Sequence, residues 1–328
     1  MRKSPMKVND CPGFPQFDYL FPPSRRYAFA ITHRNGKPVM VCLAQLEAFD
    51  GLLWVGNGQH AGRISALSQP TISRAAHHVA KSLGLTLQKI RSEWHVTGET
   101  HQLAQERQHH QMARLAGTGN LRLEAGAISS RVLADPPLKP WILGRPDAIN
   151  QPRSLALLQQ RVIDAWICTS AQDLPSDLGE TEVVELFRTP LQLVASSNHP
   201  LAKERALRPA DLSQFASVAL DCNWFPKSAD HLKQHGLWRN PRRLNHYRSH
   251  HWVGRTADGH TLAYASPLML ASDPAITALD YDLGLEQSLA LVVRKDLAKE
   301  PPIQALLEEL RRRVVRLQPE RASSLCAA

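Results

Sequence analysis

Apolar residues first recur at helical spacing from Leu43. Leu43, Leu46, Phe49, Leu52 and Leu53 share one face, which predicts a helix. "VGNGQ" interrupts it. A second short helix is expected over about Gln59–Ala66 and a third over about Pro70–Leu83, ended by Gly84. Pro70 suits the first turn of that helix, where its missing amide costs nothing, and Ser68 is placed to cap it. "LTLQKIRSEWHVTG" (85–98) alternates at Leu85, Leu87, Trp94 and Val96, which predicts two short strands around a turn at Arg91–Glu93. Residues 99–117 then read as one long, polar helix, suited to a linker or coiled-coil arm.

Beyond Gly119 strands and helices alternate. Strands are expected at 121–127, 165–170, 191–196, 217–221, 261–266 and 289–294, with helices at 154–163, 227–235 and 302–317. This rhythm predicts doubly wound sheets covered by helices, and about 210 residues suffice for two lobes. Residues 1–39 carry six of the 23 prolines without sustained periodicity. They read as a disordered arm or as sequence ahead of a true start near Met40.

Composition narrows the function classes. No run of about 18 apolar residues is present, so no membrane span is expected. Arg2, Lys3 and Lys7 lead into Asp10 and prolines instead of an apolar stretch, which argues against a secretory signal. Cys11, Cys42, Cys168, Cys222 and Cys326 are scattered without a CxxC, as expected of free thiols in a cytoplasmic protein. The formal charge is +9, but residues 1–40 hold seven Lys/Arg against two Asp/Glu. The basic excess therefore sits mostly in the leading segment and says little about the helices that follow.

Three helices followed by a two-stranded wing form a winged helix-turn-helix layout, whose third helix enters a DNA groove with small and polar side chains on its opening turns. Gln69, Thr71, Ser73 and Arg74 supply such an edge opposite Ile72, Ala75, Ala76, Val79 and Leu83. The bland alternative is a capped surface helix. At these residues the sequence resembles the N-terminal domain of LysR-type bacterial transcriptional regulators. Leu46, Phe49, Asn57 and Ala61 precede "SQPTISRAAHHVAKSLG" (68–84), against the family's "SQPxxSxxIxxLExxLG", and "VTG" (96–98) closes the wing. The resemblance covers roughly residues 43–117. It implies that Gln69, Pro70, Thr71, Ser73 and Arg74 face DNA. His77 is a further candidate on that edge, a solvated face being its other reading. Arg63, Lys89, Arg91 and Arg114 are candidates for phosphates, with Arg25 and Arg26 in the tail. The chain departs from the pattern at Gly62, Ser65, Val79, Ala80, Gln88 and Ile90. Gly62 and Ser65 lower helix propensity or core packing, so Ser65→Leu is expected to stabilise the domain.

The remaining sequence is similar to the effector domains of the same regulators, which resemble periplasmic binding proteins. "TPLQLVASSNHPLAKERALRPADL" (189–212) carries the match, with 178–191, 258–272 and 289–296 agreeing by position. In open α/β sheets ligands lie beyond the carboxyl ends of strands. Ser129 and Ser130 follow one strand and Thr169 and Ser170 another, while Ser196 (beside Ser197) and Asn223 are candidates from the second lobe. Each could equally cap a helix. Together they suggest a small anionic or polar metabolite.

Other chemistry finds little support. The 15 histidines include His246, His250 and His251, with Cys222 a fourth group, but no HExxH or CxxC accompanies them, so no metal is assigned. There is no GxSxG, GxxxxGK[ST] or GxGxxG after a strand, and Asp164 and Asp173 read as lone carboxylates; no catalytic residue and no cofactor are expected. The fold expectation is α/β: an N-terminal winged helix-turn-helix over 40–98, a linker and dimerisation helix over 99–118, then a two-lobed periplasmic-binding-protein-like effector domain over 119–328. Lobe I takes 119–190 and 288–328, lobe II 191–287. The resemblance implies a promoter-binding regulator, homodimeric or homotetrameric, with double-stranded DNA, a small effector and RNA polymerase as partners and no membrane. The alternative is a ligand sensor whose helix-turn-helix no longer binds DNA specifically.

Overall fold

The structure, a computed structural model, describes residues 28–32, 38–90, 93–145, 151–219, 221–238, 241–243, 258–267, 270 and 275–317. They divide into two compact units. One contains the described residues up to Arg122 together with Gln160–Asp164; the other contains the rest.

The first unit opens with β1 (Ala28–Thr32) and β2 (Pro38–Cys42), paired antiparallel. This differs from the expectation of a patternless arm through residue 39. Three helices follow: α1 (Leu43–Val55), α2 (Gly58–Ser65) and α3 (Gln69–Ser82). Leu46, Phe49, Leu52 and Leu53 of α1 pack with Ala61 of α2 and Ile72, Ala75, Ala76 and Val79 of α3, all buried. α1 stops at Gly56, whose φ of 67° suits glycine. The Asn57 side chain accepts from the amides of Gln59 (2.8 Å) and His60 (3.2 Å) and so starts α2; such a cap contributes about 1 kcal/mol. β3 (Thr86–Ile90) and β4 (Glu93–Thr97) form an antiparallel hairpin, and α4 (His101–Leu115) follows.

The second unit holds two five-stranded sheets. The first has the order β6-β5-β7-β14-β8, from β5 (Leu121–Ala125), β6 (Trp141–Leu143), β7 (Ala165–Cys168), β8 (Thr181–Pro190) and β14 (Glu286–Arg294). The second has the order β11-β10-β12-β9-β13, from β9 (Gln192–Ser196), β10 (Ala216–Ala219), β11 (Pro241–Arg243), β12 (Thr261–Ala265) and β13 (Ile276–Ala278). The helices are α5 (Ala127–Leu133), α6 (Gln151–Gln159), α7 (Pro209–Leu212), α8 (Pro226–Gln234) and α9 (Pro301–Arg316). On α9, Ile303, Leu306, Leu307, Leu310 and Val314 are buried at helical spacing. The second lobe closes over Leu193, Leu212, Leu232, Leu262 and Tyr264. Each such leucine stabilises the fold by about 1.5–3 kcal/mol. No helix among the described residues is long and apolar enough to cross a membrane.

β8 carries the chain out of the first sheet and β14 brings it back. They pair antiparallel, with Glu286 opposite Pro190. β5 and β7 run parallel, and β7 is antiparallel to β14. The carboxyl ends of β5 and β7 therefore share the edge at which the chain crosses between lobes.

Candidate nucleic-acid interface and ligand cleft

α3 presents two chemically different faces. Ile72, Ala75, Ala76, Val79 and Ala80 are buried, whereas Gln69, Pro70, Arg74, His77, His78 and Lys81 are exposed and Thr71 and Ser73 half-buried. The Ser68 hydroxyl accepts from the Thr71 amide (3.4 Å) and lies 2.8 Å from Thr71 Oγ1, so part of Thr71's bonding capacity goes to the cap. His77 bonds the Ser73 carbonyl through Nδ1 at 2.8 Å, and its ring meets Trp94 of β4 edge-on with centroids 6.5 Å apart. Lys89 of β3 reaches over the same Trp94 at 5.8 Å. His77 thus braces the hairpin against the helix. Arg63 is exposed on α2. Arg25, Arg26 and Arg91 lie outside the described residues, as do His246, His250 and His251.

Arg114 does not belong with the phosphate candidates. It is buried on α4, where Nε donates to Asp164 Oδ2 (3.0 Å) and Nη2 to Asp164 Oδ1 (2.6 Å). Gln111 Nε2 and the Arg122 amide also donate to Asp164, at 2.9 and 2.8 Å. Nearby, Arg107 grips Asp50 of α1 through Nε (2.8 Å), and Arg122 Nη1 stands 3.8 Å from Asp50 Oδ2. Asp164 is therefore far from a lone carboxylate. Three buried guanidiniums face two buried carboxylates, with the half-buried Glu47 acting on Arg114 and Arg122 as well. Desolvation, with Arg114 close by, lowers Arg122 to about 10, still protonated at neutral pH. Desolvation and the same two arginines hold His110 well below its ordinary range, so its neutral Nδ1 accepts from Arg114 Nη1 at 3.1 Å. Breaking such a pair by removing one partner costs about 3–5 kcal/mol.

In the second unit the strand directions sort the ligand candidates. Ser129 and Ser130 follow β5, and Thr169 and Ser170 follow β7, so the parallel pairing places them side by side on the crossing edge. Ser129 is buried and donates to the Gly126 carbonyl at 3.1 Å, a bond back within the first turn of α5 that uses its proton locally. Gln151 Nε2 donates to the Ser170 carbonyl at 3.1 Å and steadies that loop. In the second lobe β9 starts where β12 ends, with Gln192 opposite Ala265, and β10 runs parallel to β12. Asn223, beyond β10, lies on the crossing side. Ser196 does not: β9 is antiparallel to its neighbour, so Ser196 sits at the far end, some four residues or about 13 Å along the strand. It is removed from the cleft candidates. Burial pushes the Cys168 thiol up to about 12, which keeps it protonated and inert.

The polar groups that do join the lobes were missed from sequence. Asp173 ends the short turn Ala171–Asp173 in lobe I, and its Oδ1 accepts from the Ser228 amide at 2.8 Å. Its Oδ2 accepts from Ser228 Oγ at 2.5 Å, on the first turn of α8 in lobe II. Burial raises the Asp173 carboxyl above its ordinary range, offset in part by the Ser228 hydroxyl and the Ser228 and Lys227 amides. Gln172 beside it accepts from the Ser288 amide of β14 at 3.0 Å. The one sequence signal was negative: Phe225 precedes Pro226 where a capping side chain would stand, and α8 has no side-chain cap of its own.

The chain was compared with known proteins. The family described as the LysR substrate binding domain matches residues 147–315. The transcriptional activator protein LysR of Escherichia coli (strain K12) is 25% identical over 193 residues, 52% of this chain; the match spans 60% of that relative. Among solved structures, a full-length OxyR variant from Pseudomonas aeruginosa superposes with a TM-score of 0.51 at 15% identity, over 83% of this chain and 98% of that one. ArgP from Mycobacterium tuberculosis gives 0.52 at 15%, over 82% and 96%. At these identities the structural likeness speaks for the fold alone, an α/β effector domain of two lobes. With half the chain matched by its model, the protein belongs to the LysR substrate-binding-domain family.

Proposed function

We propose that this protein is a LysR-type transcription factor that binds promoter DNA through a winged helix-turn-helix and responds to a small anionic or polar metabolite held between its lobes. It is a regulator and not an enzyme. The observation that carries the reading is the α3 edge: Gln69, Pro70 and Arg74 exposed on a capped helix, buried on its opposite face and followed at once by the β3–β4 hairpin. Amide and guanidinium groups in that position read base edges and phosphates in a major groove. Residues 40–98 would form the DNA-binding part, 99–118 the linker that pairs subunits, and 119–328 the effector part. A dimer or tetramer presents its recognition helices at fixed spacing, so an interrupted palindrome is the expected site, with RNA polymerase a further partner and the cytoplasm the expected location. Ser130, Thr169, Ser170 and Asn223 are the side chains proposed for the effector.

The alternative of a decayed helix-turn-helix draws on Gly62, Ser65 and the weak charge of these helices, and Gly62 lies in the turn itself. A Cβ there would stand 2.4 Å from the Leu67 carbonyl oxygen, so glycine is what this turn requires. The test is a mobility shift on the intergenic DNA upstream of the coding sequence, with salt varied. Specific retardation with a steep salt slope is expected. Binding no tighter than to random DNA would overturn the reading in favour of a sensor without DNA specificity.

A further inference from the structure

We propose that Asp173 is a latch that holds the two lobes together. The inference concerns the cleft assigned above and rests on that reading only for its regulatory meaning. Asp173 and Ser228 are each about 3% exposed, one in lobe I and one in lobe II. The carboxylate takes the amide and the hydroxyl of Ser228 together, at 2.8 and 2.5 Å. It also occupies the positive end of α8, a nine-residue helix whose own N-cap position is Phe225 and offers no acceptor. Lobe I thus supplies the cap that lobe II lacks. Gln172 reinforces the clamp: its Nε2 lies 3.5 Å from Ser228 Oγ, while its Oε1 holds the Ser288 amide on the strand that returns from lobe II. Opening the lobes would strip a buried carboxylate and the first amides of α8 of their partners at once. Such a contact has two discrete arrangements, made and broken, as a switch needs.

Among the described residues, two backbone passages join the lobes, at 190–191 and 285–286, where the Leu191 amide bonds the Leu285 carbonyl at 2.7 Å. Rotation about that pair moves the Asp173 side of the cleft away from α8. A ligand seated beside Thr169 and Ser170, three or four residues from Asp173, would act on the same short loop.

The experiment uses the full chain carrying spin labels at Ala210→Cys in lobe II and Ala305→Cys in lobe I, both exposed positions, with the natural accessible cysteines replaced by serine. Electron–electron distance measurements without added ligand should give a narrow distribution for the parent. Asp173→Ala should shift it to longer, broader distances, Ser228→Ala should shift it in the same direction, and Asp177→Ala, an exposed carboxylate beyond the same loop, should leave it unchanged. If Asp173→Ala does not fold, Ser228→Ala and Gln172→Ala carry the test. An unaltered distribution in folded latch variants would overturn the latch while leaving the cleft reading in place.

Discussion

Gly62 has its side-chain space taken by the backbone. The Leu67 amide bonds the Gly62 carbonyl at 2.9 Å, drawing the turn so close that a Cβ would meet the Leu67 oxygen. The gain in helix propensity from alanine, about 1 kcal/mol, does not offset that clash. Gly62→Ala is expected to destabilise the first unit by about 1–3 kcal/mol in urea melts; a more stable variant would mean that the turn relaxes freely. Ser65 is the opposite case. Its Oγ is buried without a protein partner. Ser65→Ala should gain about 1 kcal/mol by removing that unsatisfied hydroxyl, and Ser65→Leu should also raise the melting temperature; a lower one for leucine would refute the assigned register. His110 sets a pH dependence. Its pKa is depressed in the folded state, so its contribution is complete above the unfolded value of about 6.5 and lost as pH falls below it. Stability should decline on acidification from pH 7 toward 5, at up to about 1.4 kcal/mol per unit for this proton. His110→Gln should flatten that part of the curve, and an equal slope in the variant would refute it.

Among the elements, α3 and α4 use charge in opposite ways. α3 displays Arg74 and Lys81 to solvent, whereas α4 turns Arg107 and Arg114 inward onto Asp50 and Asp164. Arg74→Ala is therefore expected to weaken DNA binding and to lower the salt slope by about one, with little effect on folding. Gel shifts across a salt series decide this, and an unchanged affinity would remove Arg74 from the interface. Asp164→Asn should instead cost about 3–5 kcal/mol of stability, because Arg114 and the Arg122 amide lose an ionised acceptor inside the protein. Reading α4 as polar along its length missed this: its buried face, Leu103, Glu106, Arg107, His110, Gln111 and Arg114, holds one aliphatic residue. The hydrophobic period was absent because ion pairs occupy the positions that apolar side chains usually fill.

For the whole molecule, assembly is the open quantity. The outward face of α4 carries Ala104, Gln108 and Met112, and Met112 is 44% exposed, among the most exposed large apolar side chains described. If α4 pairs subunits, Met112→Glu should shift the chain from dimer to monomer in analytical ultracentrifugation and weaken binding to a palindromic site. A variant that stays dimeric would move the interface elsewhere.

From sequence alone, one could read the helices and strands whose apolar spacing is regular: α1 to α3, the β3–β4 hairpin, and the strands β5, β7, β9, β10, β12 and β14. The Ser-Gln-Pro opening of α3 and its exposed edge were legible too, because capping and helical period are local. Strand direction is not local. Ser196 and Asn223 look alike as polar residues after strands, yet antiparallel pairing sends one to the far edge and leaves the other at the cleft. Nor does a sequence show which charges meet: Asp164 finds Arg114 across 50 positions and Asp173 finds Ser228 across 55. Buried polar groups must be paired, but only the tertiary fold decides with whom.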